Sequence, residues 1–335
     1  MSKSVGGAFA YFLENNVNLA TERTRKARNS RDAVIDKINN LSDFFPLDKS
    51  KHLHFGSFAR RTKIRPIDDI DIMICLNSNY MSLSNNGGNY SITLKSGASQ
   101  ILYDCSDKTY SWYQDQYKLN SNKVKNKFKS SLYYLHDCRN ADLHSNQEAV
   151  TLKFSSYEWN FDIVPAIFVT ETFGNGYYLI PDGNGNWKKT DPRVDRDKVT
   201  NINSKLDGRV LELVRLAKYW AKVNMGGWIS SYLLETMVIN YCSSQSTLSE
   251  YVDWRFESLL GYLKNAVYSN VYDMKGIQGN INNLSYEHKQ RFSNIAEQDF
   301  KNAQAAKHAE IDLKDQEQAI NYWRKVFGTS FPTYD

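Results

Sequence analysis

Hydrophobic positions recur at helical spacing near the start of the chain and again through its last third. Phe9, Phe12, Leu13, Val17 and Ala20 are three or four residues apart, and no proline occurs before Pro46, which predicts one long helix over residues 8–40. From about residue 203 two apolar stripes return: Leu206, Val210, Leu213, Val214 and Ala217, then Leu233, Leu234, Met237, Val238 and Tyr241. Further helices are predicted near 250–270, 286–308 and 312–327, the last ending at Gly328.

Strand patterns occupy the segment between these helices. Residues 68–76 alternate like a strand, and 148–154 with 159–169 predict paired strands joined by Ser155-Ser156. The stretch 81–100 is rich in Asn, Gly and Ser, which predicts an irregular surface insertion. We therefore expect an α+β protein with a mixed-sheet lobe, including the first helix, over 1–200 and a helical lobe over 201–335.

Composition narrows the class of protein. The 335 residues carry 42 Lys and Arg against 37 Asp and Glu, and this net charge of +5 favours anionic ligands without matching a DNA-coating protein. Cys75, Cys105, Cys138 and Cys242 form no CxxC pair, which argues against a disulfide framework or a zinc ribbon. No run of eighteen apolar residues and no secretory signal pattern occurs, so we expect a cytoplasmic protein without a membrane partner.

One basic segment of the first predicted helix has two interpretations. Arg23, Arg25, Lys26, Arg28 and Arg31 could contact a polyanion, but acidic residues are interspersed among them. A solvated helix face is therefore the preferred interpretation, and no site is assigned there.

The residues that predict chemistry are Gly56-Ser57, the pair Asp69 and Asp71, and Asp162. Successive side chains of a strand alternate between its faces, so Asp69 and Asp71 project together while Ile70 faces the core. Two close carboxylates repel each other unless a cation neutralises them, which indicates a divalent metal, and Mg²⁺ prefers oxygen ligands. Asp162, in an apolar strand, is the candidate third ligand of a two-metal site.

The Gly-Ser pair fits a phosphate-binding turn. Gly56 lets the backbone approach a phosphate closely, and Ser57 at a helix start adds N–H and hydroxyl donors. Taken singly, Gly-Ser also fits an ordinary strand-to-helix turn, and Asp-x-Asp also fits a strand edge or a calcium loop fragment. The joint spacing favours the nucleotide site.

The segment HFGSFARRTKIRPIDDIDIMICL, followed by FDIVPAI, resembles the signature of the DNA polymerase β-type nucleotidyltransferases. More closely, the chain resembles the cGAS/DncV-like nucleotidyltransferases (CD-NTases), through the leading helix, YLIPDGNGNWKKTDP, LELVRLAKYW, SSYLLE and AINYWRKVFGTSFP. The resemblance implies a polymerase β-like lobe, an OAS/SMODS-like helical C-terminal domain, and an active site in the cleft between them.

The resemblance also assigns roles to individual residues. It implies that Gly56 and Ser57 hold the triphosphate and that Asp69, Asp71 and Asp162 are catalytic and bind Mg²⁺, with Mn²⁺ as an alternative. Three further nucleotide-binding residues follow from it: Lys218 and Ser231 on the phosphates, and Tyr232 stacked on a base.

Each of the last three residues also has a structural alternative. Lys218 could be a snorkelling surface lysine. Ser230 or Ser231 could simply cap a helix, and Tyr232 could be part of the core.

Members of this family make cyclic oligonucleotide signals in anti-phage (CBASS) defence, so the resemblance implies a monomeric synthase of a cyclic di- or trinucleotide. NTPs would be its substrates, and its effector would be reached through the nucleotide product. The six His and four Cys form no zinc cluster, so direct activation by nucleic acid is not predicted. The alternatives are an enzyme that adds nucleotides to RNA or protein, and a catalytically silent nucleotide-binding or RNA-binding module.

Overall fold

The computed structural model describes residues 3–110, 115–133, 142–146, 148–155, 157–171 and 174–335. Cys138 and Ser156 lie outside the described residues. The chain forms two compact units. The helical unit comprises Met1–Thr21, Arg60–Pro66 and Val194–Asp335, and the sheet unit comprises Glu22–Ala59 and Ile67–Arg193.

Eleven strands of the described chain form one mixed sheet in the sheet unit. They are β1 Leu53–Phe55, β2 Asp69–Leu76, β3 Met81–Asn86, β4 Asn89–Leu94, β5 Ser106–Thr109, β6 Gln116–Leu119, β7 Asp142–Asn146, β8 Ala149–Lys153, β9 Asn160–Val169, β10 Tyr177–Pro181 and β11 Trp187–Thr190. The main order is β1-β2-β9-β10-β11-β4-β6-β5, with β3 beside β4 and the β7–β8 pair beside β9.

The two apolar strands β2 and β9 form the centre of this sheet. They pair in parallel along eight residues of each strand, whereas β1 and β8 pair with them antiparallel. Ile70, Ile72 and Ile74 are buried, as alternation predicted at the start of the strand, and so are Phe161 and Ile163. The predicted pairing of β8 with β9 is confirmed.

Eleven α-helices are described. They are α1 Val5–Phe12, α2 Thr21–Asn39, α3 Gly56–Ala59, α4 Gln100–Asp104, α5 Ser121–Tyr133, α6 Pro192–Lys205, α7 Val210–Met225, α8 Ser231–Ser243, α9 Val252–Ala266, α10 Tyr286–Ile311 and α11 Gln316–Phe327. The three C-terminal helices confirm the sequence prediction, including the end before Gly328. None of the described helices is long and apolar enough to cross a membrane.

The helical unit has one large core to which both predicted apolar stripes contribute. All ten residues of those stripes are buried. Phe9 and Phe12 of α1 insert into an aromatic cluster with Trp323, Phe327 and Phe331, with ring centroids 4.9–5.8 Å apart. This packing joins the first helix to the last one through rings that supply large buried areas.

The prediction of one helix over residues 8–40 is wrong. The chain forms α1, a π-helical turn at Leu13–Val17, an extended residue at Asn18, and then α2. The guanidinium of Arg65 donates to the backbone carbonyls of Glu14, Asn15 and Asn18. Carbonyls at a helix end lack partners within the helix, and here a side chain 47–51 residues away supplies the donors.

The prediction of an irregular insertion over residues 81–100 is also wrong. β3 and β4 form a regular hairpin, in which Met81 pairs with Leu94 at the open end and Asn86 pairs with Asn89 beside the turn. Its two turn residues, Gly87 and Gly88, have φ values of 61° and 94°. Glycine adopts such values readily, so the Asn/Gly-rich composition that indicated irregularity instead provides a tight hairpin turn.

Candidate functional site

The structure brings the three predicted carboxylates onto one face of the central strands. Asp71 and Asp162 are register partners in the parallel β2–β9 pair, and neighbouring strands lie about 4.8 Å apart. Asp69 is two residues before Asp71 on the same face. All three residues are half-buried, while the residues flanking Asp71 and Asp162 in their strands are buried. Strand alternation therefore directs the acids out of the sheet and the apolar chains into the core.

Asp162 is held by a neighbour on its other side. Thr151 of β8 is its antiparallel register partner, and the Thr151 hydroxyl donates a hydrogen bond of 2.6 Å to Oδ1 of Asp162. A short hydrogen bond to a carboxylate stabilises the ionised form and restricts the rotamer. Thr151 is thus a positioning residue that the sequence prediction missed.

Gly56 lies directly against Asp71. It follows β1, whose Phe55 is the register partner of Asp71, and it starts the short helix α3 that contains Ser57. The φ of Gly56 is 72°, and a methyl group built on it would overlap Oδ2 of Asp71 and lie 2.5 Å from its Cγ. Only glycine allows the Gly-Ser turn and the Asp71 carboxylate to pack this closely.

These residues fit a hard divalent cation by donor chemistry. Three half-buried carboxylates share one face, and oxygen donors of this kind suit Mg²⁺ or Mn²⁺. Among the described residues, no group of three or more His, Cys, Asp or Glu side chains is arranged so that it could hold a metal ion. The predicted metal role of Asp69, Asp71 and Asp162 therefore stays a prediction.

Replacing Gly56 with Ala is expected to reduce the nucleotidyl transfer that the sequence resemblance implies, and by more than backbone strain alone would. The left-handed conformation costs a non-glycine residue about 1–2 kcal/mol, and the new methyl group must also displace Asp71. Gly87→Ala is the matched control, because Gly87 also has a positive φ but has no atom within 4 Å of the added methyl group. Initial rates with NTPs measure the difference, and equal rates for the two variants would contradict the role of the close packing.

Lys218 is buried in the helical unit, so the alternative of a snorkelling surface lysine is wrong. Its Nζ lies 2.5 Å from Oε2 of Glu235 and 3.3 Å from Oγ1 of Thr62. Arg60 also binds Glu235, with its Nε 2.7 Å from Oε1. The Glu235 side chain is 0% exposed, so two cations and a hydroxyl share one fully enclosed carboxylate. We refer to Arg60, Thr62, Lys218 and Glu235 as the Glu235 cluster.

The charges of this cluster depend on one another. Burial alone would raise the pKa of Glu235, but Lys218 and Arg60 outweigh it and lower that pKa to about 2. Burial also lowers the pKa of Lys218, an effect that the Glu235 carboxylate opposes. Glu235 therefore stays ionised and stabilises the charged form of Lys218 in a site that would otherwise favour a neutral amine.

Tyr232 is partly buried and held at both its hydroxyl and its ring. The hydroxyl lies 2.9 Å from Oδ1 of Asp195 and 2.5 Å from Oδ1 of Asp273. Nζ of Lys275 lies 2.9 Å from that hydroxyl and 4.5 Å from the ring centroid. Burial raises the pKa of Tyr232, so the phenol stays protonated and can donate to a carboxylate.

Ser230 and Ser231 have different positions at the start of α8, and only one of them has the capping role that the sequence left open. Ser230 caps α8, where its hydroxyl accepts from the backbone N–H of Leu233. Ser231 is the exposed first residue of that helix. The nucleotide-binding roles of Lys218, Ser231 and Tyr232 stay predictions, and the cap role belongs to Ser230.

Sequence reasoning missed the partners that hold these residues. Glu235 pairs with Lys218 across 17 residues and with Arg60 across 175, and the Tyr232 hydroxyl contacts Asp195 across 37. The sequence does contain one indication of the role of Glu235. It is a lone acidic residue among the apolar positions of α8, and a carboxylate buried there must be paired.

Comparison with known proteins identifies the family. A family profile, the Second Messenger Oligonucleotide or Dinucleotide Synthetase domain, matches residues 3–134. A probable cyclic nucleotide synthase of Bacillus cereus (strain VD146) is 41% identical over 344 residues, covering 100% of both chains.

Two solved structures resemble this chain along nearly its whole length. Apo DncV of Vibrio cholerae has a TM-score of 0.70 at 13% identity and covers 99% of this chain and 97% of its own. E. coli MS115-1 CdnC with ATP has a TM-score of 0.69 at 18% identity and covers 97% of this chain and 98% of its own. These likenesses establish a polymerase β-like nucleotidyltransferase fold with a C-terminal helical region. With the full-length identity to the Bacillus protein, they show that the chain belongs to the cGAS/DncV-like nucleotidyltransferases, the enzyme family whose members make cyclic oligonucleotides.

Proposed function

We propose that this chain joins NTPs into a cyclic di- or trinucleotide second messenger and that the product acts in anti-phage defence. The observation that carries the proposal is the register of Asp71 with Asp162, beside Asp69 and the Gly56 turn. The Bacillus relative named as a probable cyclic nucleotide synthase and the CdnC structure with ATP support the reaction class and the substrates. We further propose a monomeric enzyme whose effector is reached through the nucleotide product.

In the reaction, an acceptor hydroxyl loses its proton and attacks the α-phosphorus of an NTP; a phosphodiester bond forms as the bond to the β-phosphate breaks and pyrophosphate leaves. Asp69, Asp71 and Asp162 would hold the divalent cation from the polar face of β2 and β9. Such a cation supplies Lewis-acid stabilisation of phosphoryl oxygens and lowers the pKa of a bound hydroxyl. Thr151 fixes the orientation of Asp162, and Gly56 admits the backbone and Ser57 to the triphosphate.

The experiment that tests this function is product analysis with each labelled NTP and with all four together. We expect a small labelled product that resists phosphatase and forms with Mg²⁺ in the absence of RNA or added protein. Mass analysis then gives the bases and the ring size. Label found only on a macromolecule would instead identify an enzyme that modifies RNA or protein, and NTP binding without turnover would identify a silent module.

A further inference from the structure

A cavity of about 630 Å³ lies within the sheet unit, between α2 and the segment that precedes β9. Its volume is in the range of small-molecule sites. Its lining combines three cations, one carboxylate, two aromatic rings and three smaller side chains: Arg23, Arg25, Lys26, Glu158, Tyr157, Trp159, Asn29, Ser30 and Ala33. We call this the α2 cavity.

The cations of the α2 cavity occupy an electrostatically unfavourable place. Arg23, Arg25 and Lys26 lie in the first two turns of a 19-residue helix, where the helix dipole is positive and favours acidic groups. Arg23 pairs with Glu158, and Arg25 pairs with Glu22 at 2.7 Å. Three cations against two carboxylates leave a surplus positive charge at the positive end of the helix. An anion bound there would be stabilised by both the side chains and the dipole.

The opposite side of the α2 cavity is a packed aromatic surface. Tyr157 stacks on Trp159 with an interplanar angle of 14° and a centroid distance of 5.6 Å, and it packs edge-on against Phe154 and Phe161. The indole N–H of Trp159 donates to Ser30 on α2 at 3.1 Å, so its polar atom has a partner. Tyr157 is the exposed member at 36%, and its supporting rings are buried. A ring supported in this way can stack on a planar ligand.

This cavity is separate from the three carboxylates. Phe161 and Asp162 are adjacent on β9, so their side chains project to opposite faces of the sheet. None of Gly56, Asp69, Asp71 and Asp162 lines the α2 cavity. A ligand bound there would therefore act from the face of the sheet opposite the site of chemistry.

We propose that the α2 cavity is a second nucleotide site, which binds the phosphates of a nucleoside phosphate with Arg25 and Lys26 and its base with Tyr157. Arginine and lysine bind phosphate oxygens by charge-assisted hydrogen bonds, and every base can stack on an aromatic face. The limited volume of this open pocket and a surplus of one charge favour a small ligand over a nucleic acid, whose binding needs many phosphate contacts. The inference does not require catalysis by this chain.

The test measures nucleotide binding in EDTA, which removes the divalent cation that the carboxylate site needs. Equilibrium dialysis of the whole chain with labelled ATP, GTP, CTP and UTP gives the dissociation constants. Photo-crosslinking with an azido-nucleotide locates the ligand. We expect label on the peptide that contains Tyr157, and a dissociation constant raised at least about tenfold in both Tyr157→Leu and the double variant Arg25→Ala/Lys26→Ala.

Matched variants and a simpler anion separate the possible outcomes. Arg28→Ala removes an exposed cation of the same helix that does not line the cavity, and it should bind like the wild type. Equal affinity in all variants, or label only on peptides that contain Ser57 or Asp71, would overturn the proposal. The proposal would also be overturned if tripolyphosphate bound as tightly as NTPs and Tyr157→Leu left NTP affinity unchanged. Tight binding of RNA without binding of NTPs would overturn it as well. Because EDTA blocks turnover, each result is independent of whether the chain makes a cyclic product.

Discussion

Replacing Asp71 with Asn is expected to lower cyclic product formation by about three orders of magnitude or more. Metal-ion stabilisation of a phosphoryl transition state supplies several kcal/mol, and each 1.36 kcal/mol is a factor of ten in rate. The asparagine side chain would keep the shape of the carboxylate beside Gly56 and Asp162 but lose the charge. The measurement is the initial rate with saturating NTPs and Mg²⁺, together with the NTP dissociation constant measured with and without Mg²⁺.

The binding readout shows whether Asp71 acts through the cation. We expect the Mg²⁺-dependent part of NTP affinity to fall in Asp71→Asn, while the free energy of unfolding stays close to that of the wild type because asparagine has nearly the size and shape of aspartate. Asp68→Asn is the matched control, since Asp68 precedes the strand and its Oδ1 accepts from the backbone of Asp69, as an amide oxygen also can. Turnover by Asp71→Asn at the rate of Asp68→Asn would refute the assignment of the site.

The local part of the candidate site could be predicted from the sequence, because it depends on period and spacing. Alternation alone places Asp69 and Asp71 on one side of β2, and the buried neighbours of Asp162 indicate a central strand. The spacing of these residues in the sequence does not predict the parallel register that pairs Asp71 with Asp162. Nor does it predict the contact between Thr151 and Asp162. Both depend on tertiary pairing.

The errors in the predicted elements have the same origin. The helical period continues through residues 13–20, but the long-range hydrogen bonds of Arg65 end the first helix there. Around Gly87 and Gly88, composition indicated a loop, whereas pairing with neighbouring strands stabilises the hairpin. Local propensity is a weak constraint where a distant side chain or strand supplies the missing hydrogen bonds.

The structure changes what can be expected of Lys218. Its ammonium group is already bound to Glu235, so any phosphate role must operate with this carboxylate present. Two cations facing one carboxylate carry a net positive charge, and Thr62 adds a hydroxyl to the same group of contacts. The Glu235 cluster therefore contributes to the stability of the helical unit, and this contribution can be measured without any assay of activity.

Glu235→Gln is expected to destabilise the helical unit by about 3–5 kcal/mol at neutral pH, since it removes the counter-charge bound to both buried cations, Lys218 and Arg60, and leaves Arg60 only the charge of Asp195. The folded-state pKa of Glu235 is depressed to about 2, so its contribution is complete above the unfolded value near 4.3 and is lost as pH falls toward 2. Urea unfolding at several pH values measures both effects. The difference between wild type and variant should shrink over that acid range.

At alkaline pH, the stability of Glu235→Gln is expected to show a second and independent effect. Burial already lowers the pKa of Lys218, and removing Glu235 takes away the charge that opposes this. A lysine whose folded-state pKa is below its unfolded value gains stability as pH rises, so the penalty of Glu235→Gln should shrink as pH rises toward the unfolded value of about 10.4. The double variant Lys218→Met/Glu235→Gln should recover much of the loss, because it removes one of the unpaired buried cations. Glu297→Gln alters a partly exposed ion pair with Lys264, which also lowers the pKa of Glu297, so this control should show only a small loss at acid pH and no change at alkaline pH. A penalty for Glu235→Gln that stayed constant from acid to alkaline pH would mean that the pairing charges contribute nothing.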